Sequence, residues 1–407
     1  MNPTVTVSDF DVGGGDALRL LTYLLSGGLT GWDPGSNPFA SGHLRVMQRA
    51  ADAILQIDQD GAAGSNVFVD FTILSNVNAS ALGARQLGGY ASNGALLPGE
   101  NISGSASDDL ISGTSGDDVI SGKGGVDRIL GAAGDDIIDG GDGSDVLDGE
   151  LGNDEIHGGE GDDTVTDSFG GNDKLYGGGG ADALYIDRQF PKVGGAATLL
   201  LDGGDGEDQL NHLGFTDDQV TMIGGEGDDQ FSFGRASSVS LDAGGGNDRI
   251  TLDLSTSLTT ITLGSGRDDI SGYYFDQLHG AIVTDFETGS TGDILMLHSF
   301  ITSAIPGWDQ MVNPFQTGHL VIGQSGSDTI VLFDKDGDLS GHFSHQILYK
   351  LQDVDAAALI PYNVQYLRTE NIAAVGSDGH DRLVGTRSSD ELVGLGGNDS
   401  YFLDHSM

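Results

Sequence analysis

The sequence contains no cysteine, which excludes disulfide bonds, thiolate metal sites and thiol catalysis. Basic residues are scarce: 17 Lys and Arg face 62 Asp and Glu, giving a formal net charge of −45. Such a charge opposes binding to nucleic acid or to an anionic membrane. The first ten residues contain neither a basic segment nor an apolar run, and no stretch is long and apolar enough to span a bilayer. We therefore expect no conventional N-terminal signal peptide and no membrane span.

Glycine and aspartate are abundant instead, and from residue 104 they recur with a period of nine. Successive strings read GSASDDLIS, GTSGDDVIS, GKGGVDRIL, GAAGDDIID, GGDGSDVLD, GELGNDEIH and GGEGDDTVT. The sixth residue of every string is aspartate and the eighth is Ile, Leu or Val. One extra residue then interrupts the register before the pattern resumes. The nine aspartates in this block are Asp109, Asp118, Asp127, Asp136, Asp145, Asp154, Asp163, Asp173 and Asp182.

These strings resemble the RTX (repeats-in-toxin) calcium-binding nonapeptide, Gly-Gly-x-Gly-x-Asp-x-(apolar)-x. Glycine permits positive φ and the close approach of backbone carbonyls, and the aspartate adds a carboxylate. Each turn therefore offers the oxygen ligands that Ca²⁺ prefers. The resemblance implies a parallel β-roll in which the eighth residue points inward and successive turns lie on opposite edges. Stacked turns would then be two repeats apart, with each calcium ion between two stacked aspartates.

Glycine turns return at a wider spacing in a second block, and a third block begins near residue 376. In the second block each coil is expected to carry one calcium turn and one plain turn, of which His212–Asp218 is an example. The aspartates predicted as calcium ligands in these two blocks are Asp208, Asp229, Asp248, Asp268, Asp381, Asp390 and Asp399.

The segments outside the repeats are related to each other. Residues 31–61 align without a gap with residues 307–337, and the two tryptophans of the chain, Trp32 and Trp308, fall at the same place in both copies. We interpret each copy as a module that caps the apolar end of a roll.

The sequence thus predicts an all-β chain of parallel β-roll (RTX) solenoids flanked by a duplicated β-rich capping module. The predicted order is a capping module at 1–98, a first roll at 99–188, a second roll with one calcium edge at 189–279, a second capping module at 280–373 and a short third roll at 374–407.

Further candidate sites lie in the duplicated module. Paired acids before a glycine resemble the opening of a calcium loop, but the later ligands of an EF-hand loop are missing, so calcium binding and a plain hairpin turn both stay open. The tryptophans could stack on sugar rings, although a core role is favoured. His43 and His319 lack neighbours at ligand spacing, which favours a structural role. The paired acids are Asp58, Asp60, Asp334 and Asp336.

The chain contains no His-Glu-x-x-His, Gly-x-Ser-x-Gly or Gly-Lys-Ser/Thr motif, so we expect it not to be an enzyme. The resemblance implies that it binds several Ca²⁺ ions and is exported by the type I secretion apparatus of a Gram-negative bacterium. It would then fold outside the cell or at the cell surface, with a structural, matrix or adhesive role and a glycan or protein there as partner. The alternative is the secretion and folding portion of a larger RTX enzyme or toxin, which a long upstream reading frame would favour.

Overall fold

The computed structural model describes residues 4–13, 16–18, 20, 24, 29–30, 32, 36–62, 64, 67–95, 97–167, 169–187, 196–213, 217–234, 236–253, 258–273, 279–305, 307, 312–335 and 346–364, and the backbone of four short strands beyond them. The chain divides into two compact units, Met1–Leu200 and Leu201–Met407. In the described part, strands dominate both units, and no helix there is long and apolar enough to cross a membrane.

The first unit begins with a small sheet of order β1-β4-β3-β2, in which β1 is parallel to β4 and the other pairs are antiparallel. Its strands are β1 (Val5–Val7), β2 (Leu44–Arg49), β3 (Asp52–Ile57) and β4 (Val69–Leu74). Short 3₁₀ helices follow at Ala79–Ala81 and Arg85–Leu87. Buried Leu44, Leu55 and Leu74 form part of the core between these elements, because alternate strand residues face one side of the sheet.

The rest of the first unit is a roll of two parallel sheets, of order β5-β7-β9-β11-β13 and β6-β8-β10-β12-β14. Its strands are β5 (Asn101–Ser103), β6 (Leu110–Ser112), β7 (Val119–Gly124), β8 (Arg128–Ala133), β9 (Ile137–Asp142), β10 (Val146–Leu151), β11 (Glu155–Glu160), β12 (Thr164–Asp167), β13 (Lys174–Gly179) and β14 (Ala183–Asp187).

The register of this roll follows the nonapeptide period. Leu147 pairs with Ile129, the equivalent residue two repeats earlier. Ile156 pairs with Leu175 two repeats later, so the extra residue is absorbed without loss of register. The eighth residue of the repeat points into the space between the sheets. The members with no exposed surface are Ile129, Ile138, Leu147, Ile156, Val165, Leu175 and Leu184.

The second unit contains two parallel sheets of order β15-β17-β19-β21-β23 and β16-β18-β20-β22-β24. Strands of up to eight residues fill the wider spacing of its glycine turns. The strands are β15 (Thr198–Asp205), β16 (Gln209–Leu213), β17 (Gln219–Glu226), β18 (Gln230–Phe233), β19 (Ser238–Gly245), β20 (Arg249–Asp253), β21 (Thr259–Thr262), β22 (Asp269–Tyr273), β23 (Ala281–Val283) and β24 (Ile294–Met296).

The second copy of the duplicated module continues directly from this roll. Helix α1 (His298–Ala304) follows β24, and the antiparallel strands β25 (Leu320–Ser325), β26 (Asp328–Phe333) and β27 (Gln346–Leu351) extend the sheet from β23. A 3₁₀ helix spans Ala356–Ala358. The parallel ladder therefore runs past residue 280, where the sequence placed the start of the module, because β23 and β24 pair with β21 and β22.

The two module copies use the same pairing. Val7 pairs with Leu74 in the first copy, and the matching Val283 pairs with Leu351 in the second. Near the end of the chain, β28 (Ala373–Val375) pairs in parallel with β30 (Glu391–Val393), and β29 (Arg382–Val384) pairs in parallel with β31 (Ser400–Phe402). Each of these strands thus skips its neighbour in the chain, as the strands of the first roll do. The prediction of an all-β, parallel β-roll architecture is confirmed.

Candidate metal centres

The aspartates of the first roll form two ladders, one on each edge. The backbone N–H of every aspartate before the last of its ladder donates to the Oδ1 atom of the aspartate one coil later, for example Asp127 to Asp145 at 2.7 Å and Asp136 to Asp154 at 2.8 Å. This is the stacking that an offset of two repeats predicts. One ladder contains Asp109, Asp127, Asp145, Asp163 and Asp182, and the other contains Asp118, Asp136, Asp154 and Asp173.

The second oxygen of these carboxylates is buried beside the turns. Eight ladder aspartates, five in the first roll and three in the second unit, are at most 1 % exposed, and their Oδ2 atoms have no hydrogen-bond partner among the described residues. A buried carboxylate oxygen without a donor is costly unless a cation lies beside it. These aspartates are Asp127, Asp136, Asp145, Asp154, Asp163, Asp229, Asp248 and Asp268.

Backbone carbonyls face the same space because the first residue of each nonapeptide is glycine. A Cβ atom on Gly140 would lie 2.4 Å from Asp145 Oδ2 and 2.5 Å from the carbonyl oxygen of Gly158, one coil later. A side chain at that position would therefore fill the space on which the two oxygens converge. Carboxylate and carbonyl oxygens are the ligands of Ca²⁺, so this donor set fits calcium.

Burial makes these carboxylates hard to ionise without a cation. Burial, followed by the charges of neighbouring ladder aspartates, raises the pKa of Asp136 to about 9 and the pKa of both Asp154 and Asp163 to about 7. Both effects disfavour the charged form. A bound cation would reverse them, so the ladders are built for occupation by positive charge.

Among its described residues, the second unit has one aspartate ladder, on a single edge. The N–H of Asp208 donates to Asp229 Oδ1 at 2.8 Å, and the series continues through Asp248 to Asp268 with the same hydrogen-bond length. Asp268 then donates to Asp293 Oδ1 at 3.1 Å. Sequence reasoning missed Asp293 as a ladder member, because it lies well beyond one coil from Asp268 and was assigned to the capping module.

The plain turn proposed for this unit contains a buried polar pair. His212 Nε2 lies 3.4 Å from Asp218 Oδ2, and both side chains are completely buried. This coil therefore has a ladder aspartate, Asp208, in one turn and the buried His212–Asp218 pair in the other.

Comparison with known proteins gives the same reading of the repeats. A family model described as the RTX calcium-binding nonapeptide repeat (4 copies) matches residues 99–129, 130–165, 170–188, 231–254 and 375–404, together about a third of the chain. The chain therefore contains RTX-type calcium-binding repeats. No curated protein matches it.

The first two RTX repeats differ from those that follow. Asp109 Oδ2 accepts the backbone N–H of Ser105 at 2.6 Å, and Asp118 Oδ2 accepts that of Thr114 at 2.6 Å, with the Ser105 and Thr114 hydroxyl groups as further donors. The second-position serine and threonine thus occupy the carboxylate oxygen that later repeats leave without a partner. We expect these two aspartates to contribute least to calcium binding.

This difference predicts unequal effects of two matched substitutions. Asp145→Asn should weaken calcium binding by the RTX repeats ~10-fold or more at the affected sites, because it removes one of few charged ligands. Asp109→Asn should change calcium affinity much less, because Ser105 already donates to its Oδ2. Isothermal titration of both variants with calcium compares them, and equal losses would contradict the distinction.

The duplicated module offers smaller candidate sites. Asp58 is buried and its Oδ1 accepts the N–H of Asp60 at 3.4 Å, which is turn geometry. Asp334 is also buried, and its N–H donates to the carbonyl of His319 at 2.9 Å. Among the described residues, no third acid or histidine completes a metal-ligand group with them. Asp336, and the predicted ligands Asp381, Asp390 and Asp399, lie outside the described residues.

The other singled-out residues of the module are held by local contacts. His43 Nδ1 lies 2.7 Å from Ser41 Oγ, and His319 Nδ1 lies 2.7 Å from Thr317 Oγ1. Trp32 donates from Nε1 to the Ser36 carbonyl and packs against the module core. These contacts are those of structural residues, and Trp308 lies outside the described residues.

The raised pKa values predict a pH dependence for the calcium-free chain. The aspartates titrate near 3.9 when unfolded, whereas the folded pKa is about 9 for Asp136 and about 7 for Asp229. Between these values the folded chain holds more protons, so its free energy of unfolding should rise as the pH falls from about 9 towards about 4. Circular dichroism of decalcified protein should therefore show more β structure near pH 5 than near pH 8. Calcium affinity should fall over the same range, because protons compete for the ligands. Less β structure near pH 5 would contradict the prediction.

Proposed function

We propose that this chain is a non-enzymatic extracellular protein that folds on calcium after type I secretion and has a structural, matrix or adhesive role. The observation that carries the proposal is the pair of buried aspartate ladders, whose Oδ2 atoms converge with turn carbonyls. Such ladders favour an unfolded chain where calcium is scarce and a folded chain where it is plentiful. Extracellular calcium modules typically have dissociation constants of about 10⁻⁴–10⁻³ M, which suits folding outside the cell.

Two further features support export in an unfolded state. RTX repeat proteins are typically secreted by type I systems of Gram-negative bacteria, and this chain has no cysteine that could be oxidised on the way out. Its net charge of −45 keeps the calcium-free chain expanded by self-repulsion. The proposal of a non-enzymatic role rests on the regular engagement of its carboxylates in backbone ladders rather than in an isolated acid–base pair.

Secretion can be tested in a Gram-negative host that carries a type I apparatus. The full chain should accumulate in the medium, and an apparatus with an inactive ATPase should retain it in the cell. The secreted chain should resist protease in calcium and become sensitive when chelator is added. Retention in both strains would argue against type I export, whereas secretion without calcium-dependent protection would argue against folding on calcium.

An adhesive or matrix role can be tested separately, on the folded chain. Purified protein in calcium should bind bacterial cells or extracted matrix material, and chelation should release it. The two variants to compare are Asp145→Asn and Asp109→Asn. Asp145→Asn removes a ladder carboxylate whose Oδ2 has no hydrogen-bond partner among the described residues, whereas Asp109→Asn removes a carboxylate whose Oδ2 is already hydrogen-bonded. Binding that is unaffected by chelator and by both variants would contradict a role that depends on the folded rolls.

A further inference from the structure

Asp167 breaks the RTX pattern at the point where the extra residue enters the first roll. It is the last residue of β12 and precedes the turn that carries Asp173. In the regular repeats the residue at this place is glycine, five positions before the ladder aspartate. Here it is an aspartate, six positions before.

The glycines of the regular repeats show what an aspartate at this position changes. A Cβ atom on Gly149 would lie 2.4 Å from Asp154 Oδ2, and one on Gly158 would lie 2.4 Å from Asp163 Oδ2. A side chain cannot enter this space in a nine-residue repeat without displacing the ladder carboxylate. The extra residue lengthens the turn, so Asp167 can add a third carboxylate to the space beside the ladder.

The three carboxylates lie together and are buried. One oxygen from each of Asp154, Asp167 and Asp173 lies within 4.8 Å of the other two, and each residue is at most 1 % exposed. Within the described residues this is the one group of three such ligands.

The state of the Asp167 side chain itself indicates that a ligand binds here. Its Oδ1 accepts the N–H of Phe169 at 3.3 Å, which fixes the side chain, while its Oδ2 is buried and has no hydrogen-bond partner among the described residues. The Oδ2 of Asp154 is in the same state. Buried Asp148 and Glu150 add negative charge to the strand beside it. Three mutually repelling carboxylates are tolerated in such a place when a cation binds between them.

We propose that Asp154, Asp167 and Asp173 form a three-carboxylate cation site that binds Ca²⁺ more tightly than the two-aspartate steps of the ladders and fills first. The inference rests on the proposed calcium function and adds to it a particular residue and an order of filling. Affinity for calcium rises with the number of charged ligands in a rigid site, which gives the third carboxylate its effect. The tight site would hold the irregular turn in place, and the regular coils would fold from it.

The test compares Asp167→Gly, which restores the glycine of the regular repeat, with Asp167→Asn, which keeps the side-chain volume. The matched control is Asp139→Asn, which removes one charge from an exposed ninth position of the same roll. Calcium titration of the full chain should show that both Asp167 variants lose the tightest binding step. The dissociation constant of the first calcium ion should be ~10-fold higher than in the wild type. The control should retain the wild-type value. Circular dichroism at saturating calcium verifies that each variant folds.

Terbium provides a second readout because Trp32 packs against Leu151 and Phe169, next to the site. Terbium is a hard cation that prefers oxygen ligands, so it should occupy the three-carboxylate site. Excitation of Trp32 should then sensitise terbium emission at the first equivalent. Emission at that point should fall in Asp167→Gly and in Trp32→Phe and should persist in Asp139→Asn.

The outcomes separate this inference from the proposed function. A wild-type chain that binds no calcium would overturn both. A wild-type chain that binds calcium, with the same tightest step in Asp167→Gly and Asp167→Asn, would overturn the three-carboxylate site alone.

Discussion

Removal of calcium by excess chelator is expected to abolish most of the far-UV circular dichroism signal from β structure. In the first roll each nonapeptide fully buries little more than its eighth residue, while its ladder places carboxylates such as Asp136 and Asp154 in stacked, buried positions. With no cation present, ionised ladders repel each other and lose hydration. The hydrophobic gain per repeat is too small to offset both effects and the ordering of the backbone.

Addition of calcium to the chelated chain should restore the signal cooperatively. Magnesium at the same concentration should restore much less of the signal, because Mg²⁺ requires near-ideal octahedral coordination at short distances and loses its bound water reluctantly. A spectrum that is already rich in β structure in excess chelator near neutral pH would contradict the metal dependence of the rolls. The acidic ladders would then need another explanation.

The second large effect is expected from Gly143→Ala in the first roll. Gly143 has φ of +141°, and a Cβ atom there would lie 1.7 Å from the carbonyl oxygen of Gly125 in the adjacent coil. The variant must both strain its backbone and separate two stacked turns. We expect it to lower the free energy of unfolding in calcium by about 3–5 kcal/mol. Urea denaturation at saturating calcium measures this change.

Gly124→Ala is the matched control for this experiment. Gly124 is another turn-edge glycine of the same roll, but the nearest atom to a Cβ there is the Asp142 carbonyl oxygen at 3.6 Å, an ordinary contact distance. The control should be close to wild type in stability. If both variants lose the same stability, close stacking of the glycine turns is not what limits substitution.

Much of the first roll could be predicted from the sequence because one period governs all of its parts. The nine-residue spacing places Asp127 and Asp145 one coil apart, and the structure joins them by a hydrogen bond. The same spacing places Ile138 and Leu147 inside the roll. Strand direction, register and edge therefore follow from a single repeated pattern.

Two of the misses, Asp293 and Asp167, occur where the nine-residue period fails. Asp293 continues the second ladder from a segment that resembles the first module, and its irregular spacing from Asp268 gave no signal for stacking. Asp167 belongs to an irregular repeat, and its meaning depends on which residue occupies the glycine position. The different role of Asp109 and Asp118 depends on hydrogen bonds from Ser105 and Thr114, which the periodic pattern does not encode.

The most direct test of the account is a crystal structure of the full chain grown in calcium, with anomalous scattering used to locate the ions. Anomalous peaks are expected between successive ladder aspartates, each bounded by Oδ2 atoms and turn carbonyls, and one peak is expected among Asp154, Asp167 and Asp173. Ordered rolls with no peaks along the ladders, or peaks only at exposed acids such as Asp139, would contradict it.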